Sequence, residues 1–191
     1  MRHVRHRIVL IRHGETEWSA TRRHTGRSDI GLGADGRAAA AAVADLVKGW
    51  HFARVLSSPL SRAWETARLA GLDPVGDDDL LEWDYGVYEG RTTEEIQAEI
   101  PGWSVWTHDV VGGESLDDVG ARADRAIGRA SGAGGDVALV AHAHLLRILA
   151  ARWIGLPPGQ GRHLTLDTAS MSVLGWERDT RVICNWNLRS W

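Results

Sequence analysis

An arginine, a histidine and a glycine follow directly on a short apolar run near the start of the chain. Residues 8–11 read Ile-Val-Leu-Ile, a β-rich stretch long enough for one buried strand. Arg12, His13 and Gly14 come next. A guanidinium suits phosphate or carboxylate, an imidazole can attack or carry a proton near neutral pH, and a glycine lets the backbone approach a ligand. The simpler alternative is a strand that ends in a loop with incidental charges.

Three further segments place a charged or titratable side chain next to a short apolar run. His142 ends the run 136–141, and Arg62 lies in the first turn of a predicted helix that starts near Pro59. Backbone amides at a helix start favour an anion, whereas the helix dipole disfavours a cation there, so a bound anion would account for Arg62. Glu82 follows two leucines and precedes a tryptophan, where loss of solvation favours the neutral form that a general acid needs. Simple solvation of Arg62 and Glu82 is the alternative.

The elements that must position these side chains alternate between strands and helices. Strands are predicted at 8–11, 54–56 and 136–141, with a closing hairpin of 170–176 and 181–188. Helices are predicted at 35–50, 60–70, 92–100, 116–130 and 143–153. In open α/β sheets ligands bind at the carboxyl ends of strands, so the chemical residues can converge on one pocket.

Long irregular segments separate some of these elements. The polar stretch 19–33 is predicted to be an ordered loop, a type that is often functional. The stretch 73–91 is acidic, and its side chains apart from Glu82, such as Asp77, Asp79 and Glu89, are expected to be solvated. The loop 101–115 carries Trp103 and Trp106 and is expected to cover the pocket as a lid.

Composition restricts the class of protein. A length of 191 residues suggests one domain, 1–191, with a small cap around 92–115. A net charge of −3 argues against a general nucleic-acid binder. No apolar stretch approaches the roughly 18 residues of a membrane span, and we expect a cytoplasmic protein without membrane partners. The single cysteine, Cys184, excludes an internal disulfide and is expected to pack in the core.

Four motifs in order carry a family resemblance. They are Arg-His-Gly-Glu-Thr-Glu-Trp at 12–18, Ser-Ser-Pro-Leu-Ser-Arg-Ala-Trp-Glu-Thr-Ala at 57–67, Leu-Leu-Glu-Trp-Asp-Tyr-Gly-Val-Tyr-Glu-Gly at 80–90 and the strand that ends in His142. Together they resemble the histidine phosphatases of the phosphoglycerate-mutase-like superfamily, over about residues 8–153. The resemblance implies a three-layer α/β/α sandwich with a mostly parallel central sheet.

The resemblance also implies roles for single residues. His13 matches the nucleophile that becomes a phosphohistidine, and Arg12 and Arg62 match the arginines that bind the phosphate. His142 matches the second histidine that contacts the phosphoryl group, and Glu82 matches the acid and base. Further phosphate-pocket or substrate-loop residues are implied at Ala143, Thr25 and Gly26. The expected activity is hydrolysis of small phosphorylated metabolites without a cofactor or a metal, because side chains supply the positive charge.

The chain departs from the family pattern in two places. Most relatives have glycine where this chain has Ala143, whose methyl could narrow the pocket. His144 then raises the option of a metal pair with His142, although a strand-to-helix junction does not keep alternate residues on one face. Mutases of this superfamily have two arginines after a cap tryptophan, whereas Trp106 is followed by threonine and histidine. This difference favours a phosphatase over a mutase.

Other functions stay open at this stage. A phosphoglycerate mutase, a phosphate-binding module without turnover and a metal-dependent hydrolase are the alternatives. Within the superfamily the pattern at 82–90 and Gly-Gly-Glu-Ser at 112–115 are most similar to sugar-phosphate and broad acid phosphatases. The sequence leaves the physiological substrate and the oligomeric state open, a homodimer being one option.

Overall fold

A six-stranded sheet organises the chain, for which a computed structural model describes residues 5–190. Its strands are β1 (Ile8–Arg12), β2 (Arg54–Ser57), β3 (Val75–Gly76), β4 (Val137–Ala141), β5 (Met171–Glu177) and β6 (Thr180–Leu188). They lie in the order β3-β2-β4-β1-β5-β6. The pairs β3–β2, β2–β4 and β4–β1 are parallel. The pairs β1–β5 and β5–β6 are antiparallel. The sheet is therefore mostly parallel, as predicted.

Helices cover both faces of this sheet. The α-helices of the described residues are α1 (Glu17–Ala20), α2 (Ala34–Val47), α3 (Ser61–Leu69), α4 (Thr93–Gln97), α5 (Leu116–Ser131) and α6 (Ala143–Trp153). Short 3₁₀ helices lie at Asp78–Leu80, Gly86–Tyr88 and Pro158–His163. Of these elements, α1 and the 3₁₀ turns are the ones that the sequence did not predict. Within the part of the chain described here, no helix is both long enough and apolar enough to cross a membrane.

The central strands bury both of their faces. On β1, Ile8 and Leu10 belong to the core that α5 and α6 close. Val9 and Ile11 belong to the opposite core, which α2 and α3 close. A strand buried on both sides must be apolar throughout, which explains the unbroken apolar run. The three-layer α/β/α arrangement is confirmed.

The closing hairpin corrects one expectation. Cys184 lies on β6 and is exposed, so the prediction that it packs in the core is wrong. The reason is topological, because β6 is the edge strand of the sheet and none of its residues is fully buried. The hairpin itself is confirmed, with Arg178 in the left-handed region at φ 52° in its turn.

The acidic stretch before Glu82 is also not simply solvated. Asp79 accepts hydrogen bonds from Arg125 and Arg129 of α5, and Asp77 accepts two more from Arg129. The hydrogen bonds from the arginines lower the pKa of Asp79, against the opposing effect of its partial burial. The expectation of solvated carboxylates is wrong at these positions because α5 turns its arginines toward the 3₁₀ helix at Asp78–Leu80.

Candidate active site

A cavity of about 310 Å³ lies where β1 and β4 end. The residues after β1 and those at the start of α6 contribute to its wall, as expected for the carboxyl ends of parallel strands. The predicted site residues that line it are Arg12, His13, Thr25, Glu82 and Ala143. Four segments far apart in sequence therefore meet at one cavity.

His13 is held in one orientation at the end of β1. Its Nδ1 atom lies 2.7 Å from the carbonyl oxygen of Gly14, which can only accept, so Nδ1 carries the proton and donates. The neutral ring then has its lone pair on Nε2. Burial lowers the pKa of His13 well below its usual value, and the charges of Arg12 and Arg62 lower it further. His13 is therefore a neutral imidazole near pH 7.

The turn after His13 depends on close backbone packing. A Cβ atom at Gly14 would lie 2.3 Å from the carbonyl oxygen of Gly36, so no larger residue fits without movement. The amide of Gly14 donates to Thr66 Oγ1 over 3.0 Å, and that hydroxyl donates to the carbonyl oxygen of Arg62. Thr66 thus connects the loop after β1 to α3, a role that the sequence reasoning missed.

Arg12 offers a free donor to the cavity. One Nη atom of Arg12 donates to the carbonyl oxygen of Leu166, while its buried Nε has no hydrogen-bond partner within residues 5–190. Burial lowers the pKa of Arg12, against the opposing charge of Glu82. A buried N–H without a partner is costly, and an anion in the cavity would satisfy it.

Arg62 and His142 lie one layer deeper than the residues of the cavity wall. Arg62 is 0% exposed, donates from Nε to His142 Nδ1 over 3.2 Å, and donates from its Nη atoms to the carbonyl oxygens of Thr25, Gly26 and Ser28. Within the described ranges no carboxylate forms an ion pair with it. These contacts hold the loop 25–28 against the start of α3.

The imidazole of His142 has both nitrogens occupied. Because Nδ1 accepts from Arg62, Nε2 carries the proton and donates to Ser58 Oγ over 2.8 Å. Its ring centroid lies 5.1 Å from that of His13. Burial lowers the pKa of His142 well below its usual value, with Arg62 as the next largest cause. Ser58, part of the Ser-Ser-Pro turn after β2, was not predicted as a site residue.

Glu82 lies at the start of α6 and is 4% exposed. Its carboxylate accepts backbone N–H bonds from Trp83, His144 and Leu145 at 2.9, 3.0 and 3.0 Å. The carboxylate thereby caps α6 and is fixed at the edge of the cavity. Its position beside the loop after β1 is compatible with proton transfer to a group bound near His13.

The charge of the cavity wall favours an anion. Arg12, Arg22, Arg23 and Arg147 all line the cavity, and Glu82 is the one carboxylate among the described residues that do so. Arg23 forms an ion pair with Glu95, whereas none of the other three has a carboxylate partner within residues 5–190. Guanidinium groups in a partly desolvated cleft bind phosphate with charge-assisted hydrogen bonds.

The sequence profile of the family described as "Histidine phosphatase superfamily (branch 1)" matches residues 8–189. The chain belongs to the histidine phosphatase superfamily. The predicted resemblance is thus confirmed, and it extends past β4 through the closing hairpin.

Individual relatives agree with this membership. A protein of Mycobacterium tuberculosis named acid phosphatase is 41% identical over 181 residues, covering 92% of this chain and 89% of that protein. A solved M. tuberculosis structure is similar with a TM-score of 0.93 at 39% identity, covering 97% of this chain and 99% of that one. A Salmonella paratyphi A protein named "Probable phosphoglycerate mutase" is 31% identical over 191 residues, covering 94% of this chain and 89% of that protein.

The two tryptophans of the predicted lid lie behind the wall of the histidine phosphatase cavity. Trp103 is 1% exposed, with its ring centroid 5.4 Å from that of His24. Trp106 is half-buried, and its ring centroid lies 5.0 Å from that of His144. Both support residues that line the cavity. A lid movement of the segment 92–115 stays a prediction.

The two histidines at the start of α6, His142 and His144, have different hydrogen-bond partners. His142 contacts Arg62 and Ser58, whereas His144 Nδ1 lies 2.5 Å from the hydroxyl of Tyr85. Across residues 5–190, no group of three or more histidine, cysteine or acidic side chains is arranged to hold a metal ion. The two imidazoles thus have separate hydrogen-bond partners, and the absence of a bound metal stays a prediction.

Glu89 is a structural anchor of the site rather than the solvated acid that we expected. Its carboxylate accepts from the amides of Gly26, Arg27 and Ser28 and from Ser28 Oγ, at 2.8 to 3.4 Å. The loop it binds is the one whose carbonyls hold Arg62. No local pattern could have revealed this role, because the loop lies about sixty residues earlier in the chain.

The Glu89→Gln variant should lose both stability and activity. An amide at this position places N–H groups against backbone donors, which we expect to cost about 1–3 kcal/mol in the free energy of unfolding. The shift should be read from chemical denaturation, with kcat/KM on a phosphate ester measured in parallel. The exposed Glu94→Gln is the matched control, expected to stay within about 0.5 kcal/mol of wild type. Equal stability of the two variants would refute the anchoring role.

The histidine phosphatase should keep His13 neutral into acid pH. Because burial and the charges of Arg12 and Arg62 lower its pKa, the neutral imidazole of His13 should persist well below pH 6.5, and its protonation is expected only in more acidic solution. Removing Arg12 takes away one of the two cations, so the Arg12→Met variant should raise the His13 pKa. NMR titration of ¹⁵N-labelled imidazoles reads both values directly. A His13 that titrates near 6.5 in the wild type would contradict the electrostatics of the cavity.

Proposed function

We propose that the chain is a metal-independent phosphomonoesterase of small phosphorylated metabolites, acting through a phosphohistidine on His13. The observation that carries the proposal is the fixed tautomer of this imidazole. Its Nδ1 proton is engaged by Gly14, and Nε2 has no hydrogen-bond partner among the described residues of a cavity lined with arginines. That combination presents a lone pair to an anion, as a nucleophilic histidine requires.

In the first step, the Nε2 lone pair of His13 attacks the phosphorus of the bound monoester. The N–P bond forms while the bond from phosphorus to the ester oxygen breaks. Arg12, with its unpaired Nε, and the deeper Arg62 stabilise the charge on the phosphoryl oxygens. A protonated Glu82 gives its proton to the leaving alkoxide, so that an alcohol departs.

In the second step, a water molecule takes the place of the alcohol. The Glu82 carboxylate accepts a proton from this water as its oxygen attacks phosphorus. The N–P bond breaks, inorganic phosphate forms, and the electron pair returns to Nε2. His142 holds Arg62 through its Nδ1, which supports a role in positioning the phosphate-binding arginine. A direct contact of His142 with the phosphoryl group stays a prediction from the family resemblance.

The proposal is tested by trapping the covalent intermediate in the presence of a chelator. Purified protein treated with EDTA and mixed with a ³²P-labelled monoester should acquire an acid-labile, alkali-stable label at His13. Because Nδ1 is engaged, the label should be the Nε2 isomer of phosphohistidine, which mass spectrometry or ³¹P NMR distinguishes. Turnover that stops in EDTA and returns with a divalent metal would overturn the metal-independent mechanism.

A phosphoglycerate mutase is the second candidate, supported by the name of one relative. It would use the same phosphohistidine, but it would return the phosphoryl group to a second hydroxyl of the substrate instead of water. Against it stands the cap sequence, where Thr107 and His108 follow Trp106. Interconversion of 2- and 3-phosphoglycerate that depends on a bisphosphate primer would favour the mutase.

The partner that we propose is thus a small phosphorylated metabolite, with sugar phosphates or a broad range of esters as the class to screen. A cytoplasmic location, a homodimer and the absence of nucleic-acid partners stay predictions from the sequence.

A further inference from the structure

Arg147 is one of three arginines that, among the described residues of the cavity wall, have no role in the proposed reaction. Arg147 lies on α6 and lines the cavity together with His13 and Glu82. Its guanidinium stacks over the ring of Trp106 at 4.7 Å from the centroid. Nε and one Nη atom donate to the carbonyl oxygens of Gly161 and Arg162, each over 3.2 Å. The side chain is therefore held in place from two directions.

Arg147 differs from the other arginines of α5 and α6 in having no carboxylate partner among the described residues. On α5 and at the end of α6, Arg122, Arg125, Arg129 and Arg152 each form an ion pair with a carboxylate. Arg147 forms none with any residue in the range 5–190, and its hydrogen bonds go to neutral carbonyls. Burial lowers its pKa, which reflects the cost of a desolvated charge. An anion in the cavity would offset that cost.

The position of Arg147 separates it from the end of the cavity where the phosphoryl group is proposed to bind. It follows Ala143 by four residues on α6, a rise of about 6 Å along the helix axis. Its side chain nevertheless forms part of the cavity wall. Since His13 and Arg147 line the same cavity, a substrate whose phosphate lies beside His13 can place a second group at Arg147.

We propose that Arg147 binds a second anionic group of the substrate, a carboxylate or a second phosphate, and so selects phosphorylated metabolites that carry two separated negative groups. This inference rests on the proposed phosphatase function. Preorganisation by Trp106 and the two carbonyls reduces the entropy that binding would otherwise cost. Arg22, exposed at the same wall, is more strongly screened by solvent and is expected to contribute less.

The test compares matched substrates. The pairs are linear alkanediol bisphosphates of increasing length against the corresponding monophosphates, and ω-carboxyalkyl phosphates against alkyl phosphates. We expect wild-type kcat/KM to favour the doubly anionic member of at least one pair by about 10- to 100-fold, the range of one charge-assisted hydrogen-bonding group. Comparing the preference in the bisphosphate series with that in the carboxylate series shows whether Arg147 favours a second phosphate or a carboxylate.

Variants assign the preference to the residue. Arg147→Met should remove most of the preference, and Arg147→Lys should retain part of it. The control is Arg181→Met, because Arg181 stacks over Trp153 at 4.5 Å but lies outside the cavity. Its preference should equal that of wild type. Thermal unfolding of each variant establishes that the comparison is made on folded protein.

Two results would overturn the inference. One is equal kcat/KM of the wild-type enzyme on both members of every substrate pair. This result can be interpreted without any variant. The other is an Arg147→Met variant that loses activity equally on both members, because the arginine would then act on the scissile phosphate. Failure of the proposed function is distinguishable, since no monoester of either series would be hydrolysed and no phosphohistidine would form.

Discussion

Replacement of His13 by alanine should lower kcat for phosphate-ester hydrolysis by about 10⁴-fold or more and abolish the covalent label. The imidazole supplies the only proposed covalent bond to phosphorus, and no neighbour can replace it. His142 is the nearest candidate, with its ring centroid 5.1 Å away, but its two nitrogens are occupied by Arg62 and Ser58. The measurement is single-turnover and steady-state hydrolysis of one monoester by both proteins.

The control for this variant is His51→Ala. His51 is exposed on the loop between α2 and β2, outside the cavity, and its removal should leave the rate unchanged. Because His13 also donates a buried hydrogen bond to Gly14, the unfolding transition of the alanine variant must be measured at the assay temperature. A folded variant that retains a tenth of the wild-type rate would rule out the nucleophile assignment.

The Glu82→Gln variant should lose about 10²- to 10⁴-fold in kcat on alkyl phosphates, the range for one positioned general acid. Glutamine keeps a side-chain oxygen that can accept from Trp83, His144 or Leu145, so the helix start is disturbed less than by alanine. It cannot give a proton to the leaving group. The loss should be much smaller on 4-nitrophenyl phosphate, because nitrophenolate departs without protonation.

The dependence on the leaving group separates chemistry from structure. If Glu82 served only to cap α6, both esters would lose the same factor, because the distortion would act on the phosphate site itself. Glu94→Gln, an exposed change on α4, controls for the loss of one negative charge. We therefore expect the ratio of kcat on the alkyl phosphate to kcat on 4-nitrophenyl phosphate to fall in Glu82→Gln. The same ratio should keep its wild-type value in Glu94→Gln.

Local sequence predicted the core of the fold and the places where candidate chemical residues follow its strands. The apolar run of β1 predicts a strand buried on both faces, because a central parallel strand meets a helical layer on each side. The residues after such a strand lie at the carboxyl edge of the sheet, which predicts that His13 and the start of α6 meet. These inferences hold because periodicity and strand ends depend on residues close together in the chain.

Tertiary structure alone decided which partner each side chain has. Glu89 holds the loop 26–28, the carbonyl of Leu166 binds Arg12, and Trp106 with the turn at 161–162 holds Arg147. The exposure of Cys184 likewise follows from the edge position of β6. Such contacts join segments that are far apart in sequence, and several use backbone carbonyls, which every residue type possesses. Composition and spacing therefore carry no signal for them, and only the packed arrangement of layers brings donor and acceptor together.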